Sequence, residues 1–294
     1  MSSGPTLQAD GRRAVVLEFA HLRIGEGWFD GEPPNSGVHV RRWRMHPSPD
    51  REGVRWIPFD TLRLDLHETE ETLLGQFDQT TRYEIRRAEN RDALKAGRWS
   101  DPPPAMISDF LAFYGVSRAG ALTVPRPETL GGYAQAGCLH LSQAVDVTGR
   151  VLVWHAYFVG GDIALLLHSC SGFRGAGVQE ERQLYSRANR WLHWRDMQCF
   201  RGGHISTYDW GGYYKGGQDS GLENVNAFKR GFGGNEVRVW DGHSGVTLRG
   251  KLYLVLRYRQ HRRNLSLVTS QGPGPAGPTE GGTASEPSRV TGTR

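Results

Sequence analysis

Cysteine and long apolar runs are both scarce in this chain of 294 residues. Its three cysteines, Cys138, Cys170 and Cys199, lie at no spacing typical of zinc or redox motifs. Reduced, buried thiols are therefore expected rather than a disulfide framework. The longest apolar run, residues 151–167, is interrupted by polar residues and glycines, and a membrane span needs ~18 apolar residues. The first ten residues lack the basic start and apolar centre of a secretory signal. We expect a cytoplasmic protein without a membrane-spanning segment.

Metal-binding patterns are also missing. Histidine, aspartate and glutamate are scattered without an H-x-x-x-H motif or a carboxylate cluster, which predicts no bound metal. Cys170 follows His168 by two residues, so the two would share one face of a strand. No orienting group or oxyanion loop lies near them in the sequence, and an ordinary buried cysteine is favoured over a thiol nucleophile. The net charge of +5 fits a polyanionic partner without requiring one.

The length and the patterning predict an α+β protein made of two parts. Residues 1–11 and 266–294 are rich in small, polar and proline residues, which predicts disorder. Between them we expect an N-terminal half over residues 12–100 and a C-terminal domain over residues 101–265. Apolar alternation predicts a strand over residues 55–66.

A long helix is predicted over residues 69–96, because apolar side chains from Leu74 to Ala88 recur every three or four residues. Four basic side chains recur at the same spacing on another face: Arg87, Arg91, Lys95 and Arg98. This basic row is either a solvated surface or a row of phosphate contacts, and the sequence leaves both interpretations open.

The remaining pattern alternates short strands and helices. It predicts, in order, strands over residues 138–147, 151–160 and 162–169, a helix over residues 178–197, a strand over residues 205–210, a helix over residues 222–230 and a closing hairpin of residues 236–240 with 248–258. Tight-turn dipeptides join the first three strands.

The most informative stretch is residues 205–234, ISTYDWGGYYKGGQDSGLENVNAFKRGFGG. A β-branched and aromatic run brings Asp209 to a Gly-Gly break. A short helix then presents Lys229 just before a second glycine cluster. Glycines allow the main chain to approach a bound group closely, since no Cβ stands in the way. Two opposite charges at two backbone breaks predict a functional site.

This stretch resembles the C-terminal part of the Fem-type (FemABX-like) aminoacyltransferases, a branch of the GNAT superfamily. In that family a YDxGG strand end is followed by an FKxxFGG helix. Residues 61–90 are similar to the family's opening pattern, and residues 186–197 to its helix before the YDxGG strand. The resemblance covers about residues 56–241. It implies a GNAT-like mixed sheet flanked by helices, with a complete C-terminal GNAT domain and a trimmed N-terminal half.

The resemblance also implies a chemistry. An aminoacyl group would pass from aminoacyl-tRNA to an amine by direct attack between two parted parallel strands, residues 162–169 and 205–210. Lys229 matches the family's lysine at the reactive end of the donor, where it would stabilise negative charge; otherwise it is a surface lysine at a helix end. Asp209 would accept the amine's proton or orient Lys229; otherwise it caps the glycine turn that follows.

The sequence also bears on the identity of the acyl donor. Acetyl-CoA users of the GNAT fold carry an R/Q-x-x-G-x-G/A loop around the pyrophosphate. Here Arg174 and Gly177 fit, but Gln179 stands where the second glycine belongs, which weakens the CoA interpretation. Arginines of the following helix could hold phosphates, and a tyrosine with a neighbouring lysine could stack on a tRNA end. The expected substrate-binding residues are Arg174, Arg187, Arg190, Tyr213, Lys215 and Arg87.

Three functions therefore remain open. The first is aminoacyl transfer from tRNA to a peptidoglycan precursor or a small biosynthetic amine, with no cofactor beyond that co-substrate. The second is an acetyl- or acyl-CoA-dependent N-acetyltransferase. The third is a non-catalytic protein that binds RNA or a precursor on the same scaffold. His193, beside two tryptophans, is expected to be a packed, hydrogen-bonded residue rather than a base.

Overall fold

The computed structural model describes residues 13–117, 124–216 and 219–270, apart from the side chains of Arg174 and of residues 260–270. The segments expected to be disordered lie mostly outside this range. Residues 1–11 are outside it, and so is the part of 266–294 that follows Ser270. Residues 266–270 belong to the last helix.

The described residues form ten strands and seven α-helices. The strands are β1 Ala14–Phe19, β2 Leu22–Trp28, β3 Val40–His46, β4 Arg55–Asp65, β5 Lys95–Trp99, β6 Leu139–Val145, β7 Val151–Gly160, β8 Ile163–Ser171, β9 Thr207–Tyr213 and β10 Asn235–Gly245. The helices are α1 Glu70–Gln76, α2 Gln79–Arg87, α3 Pro104–Ser117, α4 Pro127–Gln135, α5 Gln179–Gly202, α6 Ser220–Arg230 and α7 Leu248–Ser270. None of these helices is long and apolar enough to cross a membrane.

All ten strands belong to one mixed sheet in the order β1-β2-β3-β10-β4-β9-β8-β7-β6-β5. Two neighbouring pairs are parallel, β2 with β3 and β8 with β9. The first and last thirds of the chain interleave, because β4 lies between β9 and β10. The expected α+β class, a mixed sheet flanked by helices, is confirmed.

The core packs between the centre of this sheet and its helices. Strand β9 places Tyr208 and Trp210 in a buried cluster with Phe77, Trp194 and Phe232. The predicted elements from β6 to α6 are all present with bounds close to those expected. Their glycine turns and period-two or period-3.6 patterns are local signals, which is why the sequence shows them clearly.

The single helix expected over residues 69–96 is wrong. Phe77 is extended and buried, and the Asp78 side chain caps α2 by accepting from Thr81 N at 2.6 Å. The Asp78 amide donates to Gly231 O at 2.8 Å. This contact with a distant glycine fixes the break between α1 and α2.

The basic row predicted on that helix is therefore not a row. Arg87 ends α2, and Arg91 lies in a π-helical turn over Ala88–Asp92. Lys95 and Arg98 lie on β5, which pairs antiparallel with β6. Side chains on a helix, a turn and a strand do not share one helical face.

The closing hairpin is also wrong. Strand β10 pairs with β4 along one edge and with β3 along the other. From Trp240 onward, pairing with β3 occupies the second edge of β10, and no described pairing joins residues 236–239 to residues 248–258. Those residues instead begin helix α7.

The described residues through Lys251 form one compact unit, and those from Leu252 form another. Within the first unit, β4 from the expected N-terminal half pairs with β9 and β10 from the expected C-terminal domain. The expected boundary near residue 100 falls between β5 and α3, and the division into two halves stays a prediction.

Candidate active site

The strands β8 and β9 part in the middle of the sheet. They pair in parallel from Ile163 and Thr207 to Leu165 and Asp209, and the ladder stops there. Beyond that point β8 continues to Ser171 against β7, while β9 continues against β4. The two strands named from the sequence as a parted pair do part.

Each of the two strands has a β-bulge beside the opening. In β8, Leu167 is the extra residue, because Tyr157 and Ala156 of β7 oppose Leu166 and His168. In β9, Asp209 and Gly212 pair with Arg63 and Thr61 of β4, so β9 has one residue more than β4 over this stretch. A bulge bends its strand and is common beside active sites. Gly211 and Gly212 lie at the bulge of β9, whereas β8 contains no glycine that could indicate its bulge from the sequence.

Gly211 is required where the strands separate. Its φ is +66°, a conformation that costs L-residues ~1–2 kcal/mol. A Cβ at this position would also lie 2.9 Å from Leu166 O on the other strand. The tight approach at Gly211 marks the inner end of the opening.

A cavity of about 500 Å³ occupies the opening. It is lined by β8 from Leu166 to Ser171, by the end of β9 and by side chains of α5 and α6. Aromatic rings and hydroxyl groups dominate the wall. Among the described lining side chains, Lys229 is the only lysine, arginine, aspartate or glutamate. Lys229 is therefore the charged group that the described part of the wall presents to a ligand.

Helix α6 holds Lys229 against the end of β9. Asn226, one turn earlier, donates to Tyr214 O at 2.5 Å and accepts from Tyr214 N at 3.2 Å. Lys229 Nζ donates to Gly212 O at 2.5 Å. Burial lowers the pKa of Lys229 from 10.5 to about 8, although the charge of Asp209 acts in the opposite direction. The group is an ammonium at neutral pH, held in a poorly solvated position.

Asp209 is fully buried at the point where the strands part. Its carboxylate accepts from Gly211 N at 2.8 Å, from Arg63 Nε at 2.7 Å and from the hydroxyl of Thr61. It caps the glycine turn, as the second interpretation of the sequence proposed. Asp209 is not part of the described cavity lining, and its effect on Lys229 is electrostatic.

The two arginines expected on α5 are engaged in ion pairs. Arg187 donates twice to Asp92, at 2.6 and 3.1 Å, and is buried. Arg190 donates to Glu84 at 2.8 Å and lies 4.8 Å from the ring centre of Phe228. Both guanidinium charges are already compensated, and neither side chain lines the cavity. Their expected phosphate contacts stay predictions.

Tyr213, Lys215 and Arg87 lie outside the cavity lining as well. Tyr213 is buried and its hydroxyl accepts from Arg230 at 2.7 Å. Lys215 forms an ion pair with Glu236 at 2.9 Å, and Arg87 ends helix α2. The side chain of Arg174 lies outside the described residues. The structure brings Lys229 to the cavity, but not Tyr213, Lys215 or Arg87.

A buried polar chain next to the cavity was not expected. His193 lines the cavity, and its Nδ1 lies 2.7 Å from the hydroxyl of Tyr208. Tyr208 is 3.0 Å from the hydroxyl of Tyr157, which donates to Asp196 at 2.8 Å. Two strands and one helix contribute these groups, so no local motif announces them. His193 is hydrogen-bonded, as expected, but it also faces the site.

The start of α5 is acidic. Glu180 and Glu181 occupy its first turn, and no side chain caps the helix at Val178. Glu181 accepts from Gly177 N at 3.3 Å and from Arg150 at 2.7 Å. A helix start that binds pyrophosphate offers bare amides to the anion. Here the carboxylate of Glu181 already accepts from the amide of Gly177, and the side chains of Glu180 and Glu181 belong to the first turn of the helix.

No family model and no curated protein matches the chain. Among solved structures, FemX matches with a TM-score of 0.56 and 13% identity over 82% of this chain and 85% of FemX. The chain has a FemX-like fold. The C-terminal domain of a putative lysylphosphatidylglycerol synthetase from Agrobacterium fabrum matches with a TM-score of 0.49 and 12% identity, over 83% of this chain and 87% of that domain. The resemblance expected from residues 205–234 is thereby confirmed at the level of the fold.

Proposed function

We propose that the protein is a cytoplasmic N-acyltransferase that passes an aminoacyl group from aminoacyl-tRNA to an amine. The acceptor is a small biosynthetic amine or a peptidoglycan precursor. The observation that carries this proposal is the desolvated ammonium of Lys229 in the cavity between two parted strands. A cation with a lowered pKa in a cleft is typical of functional sites.

The geometry suits an acyl carbonyl in three ways. Beyond Leu165, the edge of β8 that faces the opening has no strand partner, so its main chain can donate to a developing oxyanion. Lys229 has three N–H donors, and Gly212 O takes one of them. The others serve the tetrahedral oxyanion or the departing ribose hydroxylate. The cavity of about 500 Å³ is large enough for the aminoacyl end of a tRNA and an acceptor amine together.

The reaction needs no covalent enzyme intermediate. The amine nitrogen attacks the ester carbonyl, a C–N bond forms, and the bond from the carbonyl carbon to the ribose oxygen breaks. The acceptor's ammonium loses two protons in all, because it must be a neutral amine to attack: one proton ends on the ribose oxygen, which leaves as a hydroxyl, and the other is released. Asp209 contributes by fixing the turn at Gly211 and by favouring the charged form of Lys229.

The acidic start of α5 favours the tRNA donor over coenzyme A. A pyrophosphate at this helix start would meet the carboxylates of Glu180 and Glu181, and it would compete with Glu181 for Gly177 N. Glu181 is itself paired with Arg150, so the repulsion of a pyrophosphate comes mainly from Glu180, and the occupied amide of Gly177 is the second obstacle. An ester-linked aminoacyl group at a tRNA end does not require a pyrophosphate at this position.

A transfer assay tests the proposal. Purified protein is incubated with a pool of tRNA charged with labelled amino acids and with an amine fraction of cell extract, and new amides are identified by mass spectrometry. A parallel reaction contains labelled acetyl-CoA. We expect transfer from tRNA alone, abolished by Lys229→Met and retained by Lys95→Met, an exposed lysine on β5. Transfer from acetyl-CoA alone would overturn the donor, and full activity of Lys229→Met would overturn the role of the ammonium.

A further inference from the structure

The buried polar chain beside the cavity has a defined direction. The hydroxyl of Tyr157 donates to Asp196 over 2.8 Å, and the same carboxylate oxygen accepts from Ser142 at 2.7 Å and lies 2.9 Å from Nδ1 of His155. Tyr157 then has no second proton, and the hydroxyl of Tyr208 donates to Tyr157 over 3.0 Å. Tyr208 in turn accepts from Nδ1 of His193 over 2.7 Å. Burial raises the pKa of both tyrosines well above 10, which keeps both phenols protonated.

This direction fixes the tautomer of His193. The proton is on Nδ1, and Nε2 carries a lone pair at a residue that lines the cavity. The ring stacks on His155, with centroids 3.9 Å apart. Burial, together with the charges of His155, Lys229 and Arg190, lowers the pKa of His193 well below 6.5. The lone pair is therefore available at neutral pH.

The same surroundings oppose an imidazolium at this position. Lys229 on α6 and Arg190 on α5 bring positive charge towards the ring, and His155 on β7 lies against it. A proton that arrives on Nε2 is tolerated only if the proton on Nδ1 leaves. Tyr208 and Tyr157 provide the path, and Asp196 stands at its end.

We propose that His193, Tyr208, Tyr157 and Asp196 form a proton relay that removes the proton of the attacking amine. The relay rests on the proposed acyl transfer and identifies its base. As the C–N bond forms, Nε2 of His193 takes the amine's proton and Nδ1 gives its proton to Tyr208. Tyr208 passes its own proton to Tyr157, and Tyr157 protonates Asp196. The proton returns to solvent when product leaves. His193 is the catalytic residue, and the two tyrosines and Asp196 act through it.

The tautomer is tested without any substrate. Protein labelled with ¹⁵N-histidine is examined by long-range ¹H–¹⁵N NMR from pH 6 to pH 8, and His193→Gln assigns the signals. We expect a neutral ring protonated on Nδ1 throughout this range. A ring protonated on Nε2, or an imidazolium, would overturn the relay.

Kinetics with the donor and acceptor from the transfer assay test the proton path. His193→Gln should lower kcat by about 10²–10⁴-fold with little change in KM, the range of general base catalysis. The matched control His67→Gln changes an exposed histidine and should have wild-type kcat. Tyr157→Phe breaks the path but leaves the bond between His193 and Tyr208. The rate is then measured in mixtures of H₂O and D₂O and plotted against the deuterium fraction. The plot for wild-type protein should be curved, because several protons move together, and the plot for Tyr157→Phe should be straight, because one proton moves.

The outcomes separate the two proposals. Wild-type kcat in His193→Gln, alongside an inactive Lys229→Met, would refute the relay and leave the proposed function standing. A straight line for wild-type protein would refute a relay of several protons. Absence of any transfer by wild-type protein would refute the proposed function, and the catalytic role of His193 would fall with it. Circular dichroism and melting temperature confirm that each variant is folded.

Discussion

Replacing Lys229 by methionine should change how the stability of the protein depends on pH. The lysine is 8% exposed, and burial lowers its pKa from 10.5 to about 8. Between these two pH values the unfolded chain holds a proton that the folded protein lacks. The free energy of unfolding therefore rises with pH across this window. Below pH 8 both states are protonated, and the folded protein carries the full cost of the desolvated charge.

The size of the effect follows from the two pKa values. Between pH 7 and pH 10, linkage predicts that wild-type protein gains about 2.5 kcal/mol relative to Lys229→Met, whose side chain does not titrate. Taking the difference between the two proteins removes the contribution of titrating groups that do not interact with Lys229. The two side chains are similar in length, so the packing of α6 changes little.

Urea unfolding followed by tryptophan fluorescence at pH 7, 8, 9 and 10 measures this difference. The control Lys95→Met, on the exposed edge strand β5, should remain parallel to wild-type protein. The transfer rate of wild-type protein should fall above about pH 8, because the ammonium is lost. A constant difference between wild-type protein and Lys229→Met across this range would show that the ammonium is well solvated. The electrostatic basis of the proposed site would then be refuted.

Three other substitutions test the scaffold of the site. Asp209→Ala should lower the free energy of unfolding by about 3 kcal/mol, since Arg63 loses its ion-pair partner and Gly211 N and the Thr61 hydroxyl lose a buried acceptor. Arg238→Ala removes an ion pair formed by an exposed arginine and should cost less than about 1 kcal/mol; urea unfolding compares them. Gly211→Ala should cost more stability than Gly149→Ala and should also reduce activity: both glycines have positive φ, but only at Gly211 would a Cβ meet a neighbouring strand. Equal costs would contradict the tight approach. Asn226→Ala should raise KM and cost about 2 kcal/mol, because two hydrogen bonds that hold the end of β9 are lost.

The sequence predicted those elements whose signals are local. The meander of β6, β7 and β8, the long helix α5 and the pair β9–α6 each show their own periodicity and glycine turns. The position of Lys229 on α6 followed from the same stretch. The parting of β8 and β9 came from resemblance to a family rather than from periodicity, because the alternation of a strand does not say where its ladder stops.

The remaining features depend on contacts between distant residues. The break between α1 and α2 requires Gly231 O to accept from Asp78 N. The pairing of β10 on both edges depends on β3 and β4. The relay from His193 to Asp196 depends on tyrosines from two strands. A hydrophobic period carries no information about any of these partners, so sequence patterns alone could not reveal them.

The position of β4 has a consequence for how the protein is made. A ribosome completes β3 and β4 long before it reaches β9 and β10, which supply their partners in the finished sheet. Until then each exposes a row of unpaired main-chain groups, a template for pairing with other chains. Pairings so distant along the chain form slowly, and such nascent intermediates are prone to aggregate. Expression at low temperature or with chaperones should therefore raise the yield of folded protein more than changes to its surface do.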